Sequence, residues 1–592
     1  MESDLFNVSI LFVCGVGLRG LEIRFGILWE QGFPFVLSLQ AFLGFLQLLD
    51  VFRVGYYPMI HRATNLVQFD LGISLVVPLG ILLLFWVLWA VQRQLKGLFL
   101  FPVVGLVLVP MWGLEVCVGV VSLLAVIWGL WDTRCFSSFL VGIFWSLSLV
   151  EGLALLHWVV FVPLGWVSPV EGVAGLEMGL FYISGYVAPL LVLVFHCMWF
   201  LRPLVGWVRG FESSSDIVME NKVVRVSGRS GLFLVVLVLL SVFVAFYPYL
   251  PSINPEGKAV GVDYRHYVEA AGLVEGNLSQ ALSVMGGSRP IIFLLISGFQ
   301  RVIGSDVSVA VKFLPVLLNP LVVLSVFFVA LEVFRDDGIA LWAAFFTLFG
   351  IQVPVGMYSY FLTNMLGLSL VLFSLGFLFR ALRCGCRLSL FFSCLVGGLL
   401  VFTHPWSFDQ YFAAAVLAAG FVLFDVGWER FFSGSWMVIV YLVSLGFSEV
   451  LKIMVVPGQS GLSVVSTAIG GVSGLSNFWV DSIFSFRLLY GGVISCVVLL
   501  GLSIVGVYRI EGRGFSDRFL LVLPAVSSLP FFIGDEVIKS RLLFNVPFGL
   551  YAAFGFCLFL REERVDDFRG GLISFIVLGI VVYLFRSLAN LV

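Results

Sequence analysis

Five short stretches of the chain carry side chains whose types and spacing could do chemistry. In the first, a Pro/Tyr-rich turn (Tyr247, Pro248, Tyr249, Pro251, Pro255) leads into Asp263-Tyr264-Arg265-His266-Tyr267-Val268-Glu269. As a helix this puts Asp263, His266 and Tyr267 on one face at i, i+3 and i+4, where a carboxylate can serve as a general base. The alternative is that Asp263 caps a surface helix while Tyr264 and Tyr267 sit at the lipid headgroup level. In the second, Ser288-Arg289-Pro290 starts an apolar segment; an arginine there can hold a phosphate, helped by the N–H groups of the helix start, or can anchor the helix at the membrane surface.

The third stretch, Gly356 to Asn364, holds Tyr358 beside a turn and an amide, Asn364, one turn into an apolar run where it needs a partner. Aromatic-belt duty is the simpler use of Tyr358. The fourth, Thr403-His404-Pro405-Trp406-Ser407-Phe408-Asp409, offers a histidine able to exchange protons near neutral pH, or a satisfied turn histidine beside an interfacial tryptophan. In the fifth, Gly534-Asp535-Glu536-Val537-Ile538-Lys539-Ser540-Arg541, Lys539 and Arg541 head a hydrophobic segment; an anionic lipid phosphate or the neighbouring acids could hold them.

The elements that position these groups are membrane helices. Of 592 residues, 61% are hydrophobic and 11% are charged, less than half the ~25% of a soluble domain. So few polar side chains cannot cover a soluble exterior. The 33 Lys+Arg against 35 Asp+Glu leave no basic surplus for a nucleic-acid partner. Long continuous apolar runs disfavour a β-barrel, so the expectation is an all-α, polytopic transmembrane helical bundle. The nine cysteines form no Cys/Cys or Cys/His metal-ligand spacing, and acidic Glu2 and Asp4 ahead of the first apolar run give no sign of a cleavable leader.

Spans are expected at 231–249, 311–334, 338–353, 361–379, 388–403, 410–425, 435–451, 488–508, 519–533, 541–560 and 571–588. Earlier ones fall at 5–18, 33–49, 71–91, within 98–131, 136–163 and 176–201, for roughly 16–18 in all. Basic residues cluster at 202–229, 380–387 and 509–518, which the positive-inside bias places in the cytoplasm. Alternation between these clusters requires that Pro290–Ile303 not cross the bilayer. The external loops are then 250–310, 354–360, 404–409, 452–487 and 534–540. A multi-span module at 1–201, a basic linker at 202–230 and a second module at 231–592 are expected.

The second module resembles the C-type glycosyltransferase superfamily, the GT-C fold. The resemblance rests on helix 231–249, the long loop 250–310 with Asp263 and Tyr267, a non-crossing helix in that loop and a late external arginine, Arg541. It implies a membrane glycosyltransferase that takes a sugar from a polyprenyl-phosphate carrier and passes it to an acceptor glycan, lipid or protein on the extracytoplasmic face of the plasma membrane. By the same resemblance, Asp263 is the base. Arg289, Lys539 and Arg541 bind the carrier phosphate. Tyr264, His266, Tyr267, Tyr358, Asn364, His404 and Trp406 contribute to substrate binding. A divalent metal stays open, because the paired acids of some members are missing.

Two other function classes fit the composition. A transporter or lipid flippase would use the intramembrane groups Glu115, Glu151, His157 and Glu177, which are costly at depth. A membrane scaffold would use neither set. An enzyme should bring Asp263, Arg289, His404 and Arg541 together.

Overall fold

A computed structural model of the chain describes residues 136–166, 190–198, 226–456 (without 262 and 275–276), 494–510, 514–528, 541–560 and 567–589. A few isolated positions before residue 127 are also described. The chain forms two compact units. The first comprises residues 1–185, 492–494 and 562–586, the second 186–491, 495–561 and 587–592.

In the first unit, β1 (Gly55–Tyr56) and β2 (Val67–Gln68) pair as a two-residue antiparallel ribbon. Helix α1 (Phe136–Leu156) runs into a π-turn, His157–Phe161. The second unit is a helical bundle: α2 (Gly228–Phe246), α3 (Tyr264–Gly272), α4 (Leu278–Ser283), α5 (Pro290–Ile303), α6 (Val307–Phe313), α7 (Pro315–Phe334), α8 (Asp337–Phe349), α9 (Gln352–Tyr358), α10 (Leu362–Cys384), α11 (Arg387–Val401), α12 (Pro405–Val426), α13 (Trp428–Gly434), α14 (Trp436–Val455), α15 (Ile494–Arg509), α16 (Phe515–Ser528) and α17 (Phe548–Leu560). Helix α18 (Asp567–Ala589) belongs mainly to the first unit. Among the described residues eight helices are long and apolar enough to cross a membrane. The protein is therefore an all-α, multi-pass membrane protein.

Helix α2 shows why. Ser227 caps it by accepting the Ser230 N–H, and almost every later residue is apolar on all sides. Leu232, Phe233 and Leu239 are exposed, as suits a helix surrounded by lipid. Helix α10 instead lies inside the bundle, packed on α7 and α11. Two glycines let α15 and α17 touch backbone to backbone: a Cβ on Gly506 would lie 2.1 Å from the Tyr551 carbonyl, and one on Gly555 2.1 Å from that of Leu502.

The long helices alternate between two ends of this bundle. At one end Arg383 pairs with Glu332, Arg518 pairs with Asp425, and the Ser230 hydroxyl donates to Asp337 at 2.8 Å. The basic residues of 380–387 and 509–518 that are described, together with Arg229, share this end. The other end gathers the turns after α2, α9, α11 and α14. Helix α5 stays at that second end. Its 14 residues span about 21 Å, short of a ~30 Å hydrocarbon core. Its first turn meets the end of α11 through the Ile291 N–H and Phe402 carbonyl at 3.4 Å. Its far end leads into α6, where the Ser308 carbonyl accepts the Tyr264 hydroxyl at 2.9 Å.

Four expected boundaries change: first, residues 405–409 are the opening turns of α12 rather than loop. Residues 354–358 are helical rather than loop, because α9 extends to Tyr358. Residues 452–455 belong to α14 rather than to a loop. The span 541–560 is not one helix: a single turn at 541–544 breaks at 545–547 before α17 begins. Pro547 causes the break, since it has no N–H to donate and its ring crowds the carbonyl four residues back.

Candidate functional site

Asp263 stands at the N-cap position of α3, yet its side chain caps nothing. Its Oδ2 lies 3.5 Å from Nη2 of Arg541, and both groups are partly accessible. The carboxylate therefore faces the bundle rather than its own helix. This ion pair is longer than the ~2.7–2.9 Å of a tight charge-assisted hydrogen bond. The guanidinium also sits over the Phe361 ring, 5.8 Å from its centroid.

Three tyrosines fix the start of α3. The Tyr267 hydroxyl and Thr363 Oγ1 are 3.0 Å apart, and the Thr363 N–H donates to the Tyr267 oxygen at 3.3 Å. Tyr264 is tied to Ser308, and Tyr360 donates to the Val311 carbonyl at 2.8 Å. Tyr360 has φ of 56°, a left-handed conformation that a bulky residue rarely adopts. Gly261, with φ of 107°, lies against its ring, where a Cβ would come within 2.2 Å of Cδ2. Tyr264 and Tyr267 thus act on Asp263 by holding its helix, since their hydroxyls are engaged with the scaffold. His266 meets the Tyr267 ring edge-on, 6.2 Å between centroids, but is exposed and lines an open groove with Glu269, Gln280 and Met285. Asp263 is turned to Arg541 and His266 to the open groove, so the two make different contacts.

Arg541 is held by its backbone. The break at 545–547 frees carbonyls that a continuous helix would satisfy, and within a membrane these need donors. Four side chains from three neighbouring helices supply them. Asn364 Nδ2 donates to the Arg541 carbonyl at 3.3 Å and Gln410 Nε2 to that of Leu542 at 3.0 Å. The Tyr411 hydroxyl donates to Asn545 O at 2.6 Å and Gln352 Nε2 to Val546 O at 2.6 Å. The amides also bind one another: Asn364 Nδ2 to Asn545 Oδ1 (3.1 Å), Asn545 Nδ2 to Gln410 Oε1 (2.9 Å), Gln410 Nε2 to Ser527 Oγ (2.7 Å). All are buried. The expected partners for Asn364 are found: the Arg541 carbonyl and Asn545 Oδ1.

His404 is the N-cap of α12. Its Nδ1 accepts the Ser407 N–H at 3.1 Å and lies 2.8 Å from the Ser407 hydroxyl. Burial holds its pKa well below 6.5, and the charges of Arg289, Arg541 and Lys452 push it the same way. The ring is neutral at pH 7. With Nδ1 accepting, the proton sits on Nε2, a fully buried donor that has no partner among the described residues. Trp406, half-buried, packs on Leu542 beside Arg541.

Arg289 precedes α5 and is half-buried; among the described residues it has no carboxylate partner. Of the helix-start N–H groups expected to help, Pro290 has none and that of Ile291 is directed at Phe402 O. Lys452 is the group sequence reasoning missed. It is buried in the last turn of α14, within electrostatic range of His404, Asp409 and Glu449. Its signal was the Glu449/Lys452 pair at i, i+3, two charges on one helix face.

Asp263, Arg289, His404 and Arg541 thus come together at one end of the second unit, with Lys452 added. The site offers three cations and one N–H donor beside a carboxylate. Lys539, Glu115 and Glu177 lie outside the described residues, as does the side chain of Tyr358, whose backbone closes α9. In the first unit Glu151 and His157 are buried. Among the described residues no group of three His, Cys, Asp or Glu side chains could hold a metal ion. Compared with known protein families and with curated proteins, the chain matches none.

Proposed function

We propose that the chain is a membrane glycosyltransferase that moves a sugar from a polyprenyl-phosphate carrier to an acceptor hydroxyl, and that its working end faces the extracytoplasmic side of the plasma membrane. One observation carries the reading: the Asp263 carboxylate is paired with Arg541 instead of capping its helix, near the cations Arg289 and Lys452 and the buried His404 Nε2–H, which among the described residues has no hydrogen-bond partner. Such a set suits an anionic oxygen. The clustering of basic loops at the opposite end supports the sidedness.

In this reading the acceptor hydroxyl lies against Asp263, which takes its proton as the new C–O bond forms at the sugar carbon. The old C–O bond to phosphate breaks, and its electron pair leaves on the phosphate oxygen. Arg289, Arg541 and the His404 N–H stabilise that charge, and the carrier chain lies among the lipid-facing helices. Asp263→Asn is expected to abolish transfer of radiolabelled sugar from a polyprenyl-phosphate donor in proteoliposomes at unchanged protein level. Retained transfer would remove Asp263 from the base role.

A further inference from the structure

We infer that the groove between α3 and α4 binds the body of a saccharide acceptor, more than one sugar unit long, whose reacting hydroxyl reaches Asp263. This deepens the proposed function and rests on it for the transfer, but not for the binding of the saccharide.

The groove is open and has a volume of about 530 Å³. One wall is α3 and its C-cap, which contribute His266, Glu269 and Leu273 at helical spacing. The other wall is α4 and the turn after it, with Gln280, Ser283 and Met285. From His266 to Leu273 the first wall is about 10 Å long. A water occupies about 30 Å³, so the space is that of a small-molecule site rather than of a single solvent molecule.

Both walls lead to the candidate site. The Tyr267 N–H bonds the Asp263 carbonyl at 3.3 Å and closes the first turn, so His266 lies within one turn of Asp263. On the other wall Arg289 follows Met285 by four residues, at most about 14 Å of chain. The turn between them is rigidly held. Met285 has φ of 52°, which a side chain rarely permits, and Gly286 and Gly287 follow at 65° and 71°. A Cβ on Gly287 would come within 2.3 Å of Val456 Cγ1, so the turn presses on the end of α14. Strain of this kind persists where the surroundings over-determine it, as at ligand clamps.

The lining selects the ligand. Among the described lining residues there is no lysine or arginine, while Glu269 carries a carboxylate, so the groove does not suit a phosphate or another anion. Arg265 beside it is exposed and already paired with Glu269 at 3.1 Å. An alkyl chain would strip water from a carboxylate, an imidazole, an amide and a hydroxyl without replacing its hydrogen bonds. A sugar meets the whole lining. Its hydroxyls donate to Glu269 and to the Ser283 oxygen, whose own proton goes to the Gln280 carbonyl at 2.8 Å, and its C–H faces lie on Leu273 and Met285.

The test uses the full-length protein in phospholipid nanodiscs. Methyl glycosides of common disaccharides and a short peptide containing serine and threonine probe the groove by saturation-transfer NMR, and farnesyl phosphate probes the anion site. At least one disaccharide is expected to bind. Leu273→Trp, which fills the groove, and Glu269→Gln, which removes the charged acceptor, should each weaken it by about tenfold or more. Leu273, Glu269 and Val302 are exposed, so their substitution spares the fold, and Val302→Trp on α5 should leave disaccharide binding within about twofold. Farnesyl phosphate affinity should stay within about twofold in all three variants. The inference is overturned if the peptide binds and no disaccharide does, if nothing binds, or if Leu273→Trp and Glu269→Gln both leave disaccharide binding unchanged. If disaccharides bind in the groove and farnesyl phosphate does not bind at all, the carrier-phosphate reading falls while the saccharide groove stands.

Discussion

Replacing Gln410 by methionine tests whether the site is held by the amide network or merely lies near it. The substitution keeps length and volume but removes three hydrogen bonds: to the Leu542 carbonyl, to Ser527 Oγ and from Asn545 Nδ2. Ser527 keeps its bond to the Leu523 carbonyl. The Leu542 carbonyl and one N–H of Asn545 are left buried and unmatched. Each such group costs about 1–3 kcal/mol, so the pair amounts to about 2–6 kcal/mol. The lower half of that range is expected, because a chain unfolded within a membrane finds other partners. About 2–4 kcal/mol is a large share of a total stability near 5–15 kcal/mol. Steric-trap unfolding in bicelles measures it, with Arg265→Ala as control. The Arg265–Glu269 pair is mostly exposed, and removing it should change nothing measurable. Arg541 sits at the start of the supported segment, so Gln410→Met should also lower farnesyl phosphate affinity, although Gln410's bonds go to Leu542, Ser527 and Asn545. A variant as stable as the wild type would refute the claim that the broken segment depends on these donors. A destabilised variant with full affinity would show that the network does not position Arg541.

Gly261→Ala should destabilise the second unit by about 2–4 kcal/mol, since the residue is held at φ of 107° and the new Cβ would meet the Tyr360 ring; a normal unfolding profile would contradict this. Single cysteines at positions 285 and 306 should label from the same side of the membrane, and opposite sides would refute a non-crossing α5. Stability should fall as pH drops below about 6.5, where the unfolded chain protonates His404 and the folded chain does not. His404→Asn should flatten that part of the pH dependence between pH 7 and 5, and an unchanged slope would mean that other groups set it.

The composition alone determined that this is a multi-pass helical membrane protein, because a chain with 11% charged residues has too few polar groups for a soluble surface. Local sequence also determined the short amphipathic α3 after a Pro/Tyr turn, and a helix starting at Pro290 that is too short to cross. The rarity of charge outside the basic loops singled out Asp263, Arg289 and Arg541. Only the tertiary structure decided what those residues do. Whether Asp263 capped its own helix or faced a partner from a distant segment could not be read locally, since both uses place the same residue at the same position. Helical spacing put His266 in line with Asp263 and gave no sign that His266 is exposed, since that depends on which elements pack on α3. The donors that hold 541–546 come from α9, α10 and α12, and their purpose exists only once Pro547 has broken the helix and exposed the carbonyls. Lys452 was hidden for a related reason: helices apolar on every side carry no pattern that tells which face turns inward, so burial and the company of His404 and Asp409 are properties of the packed bundle alone.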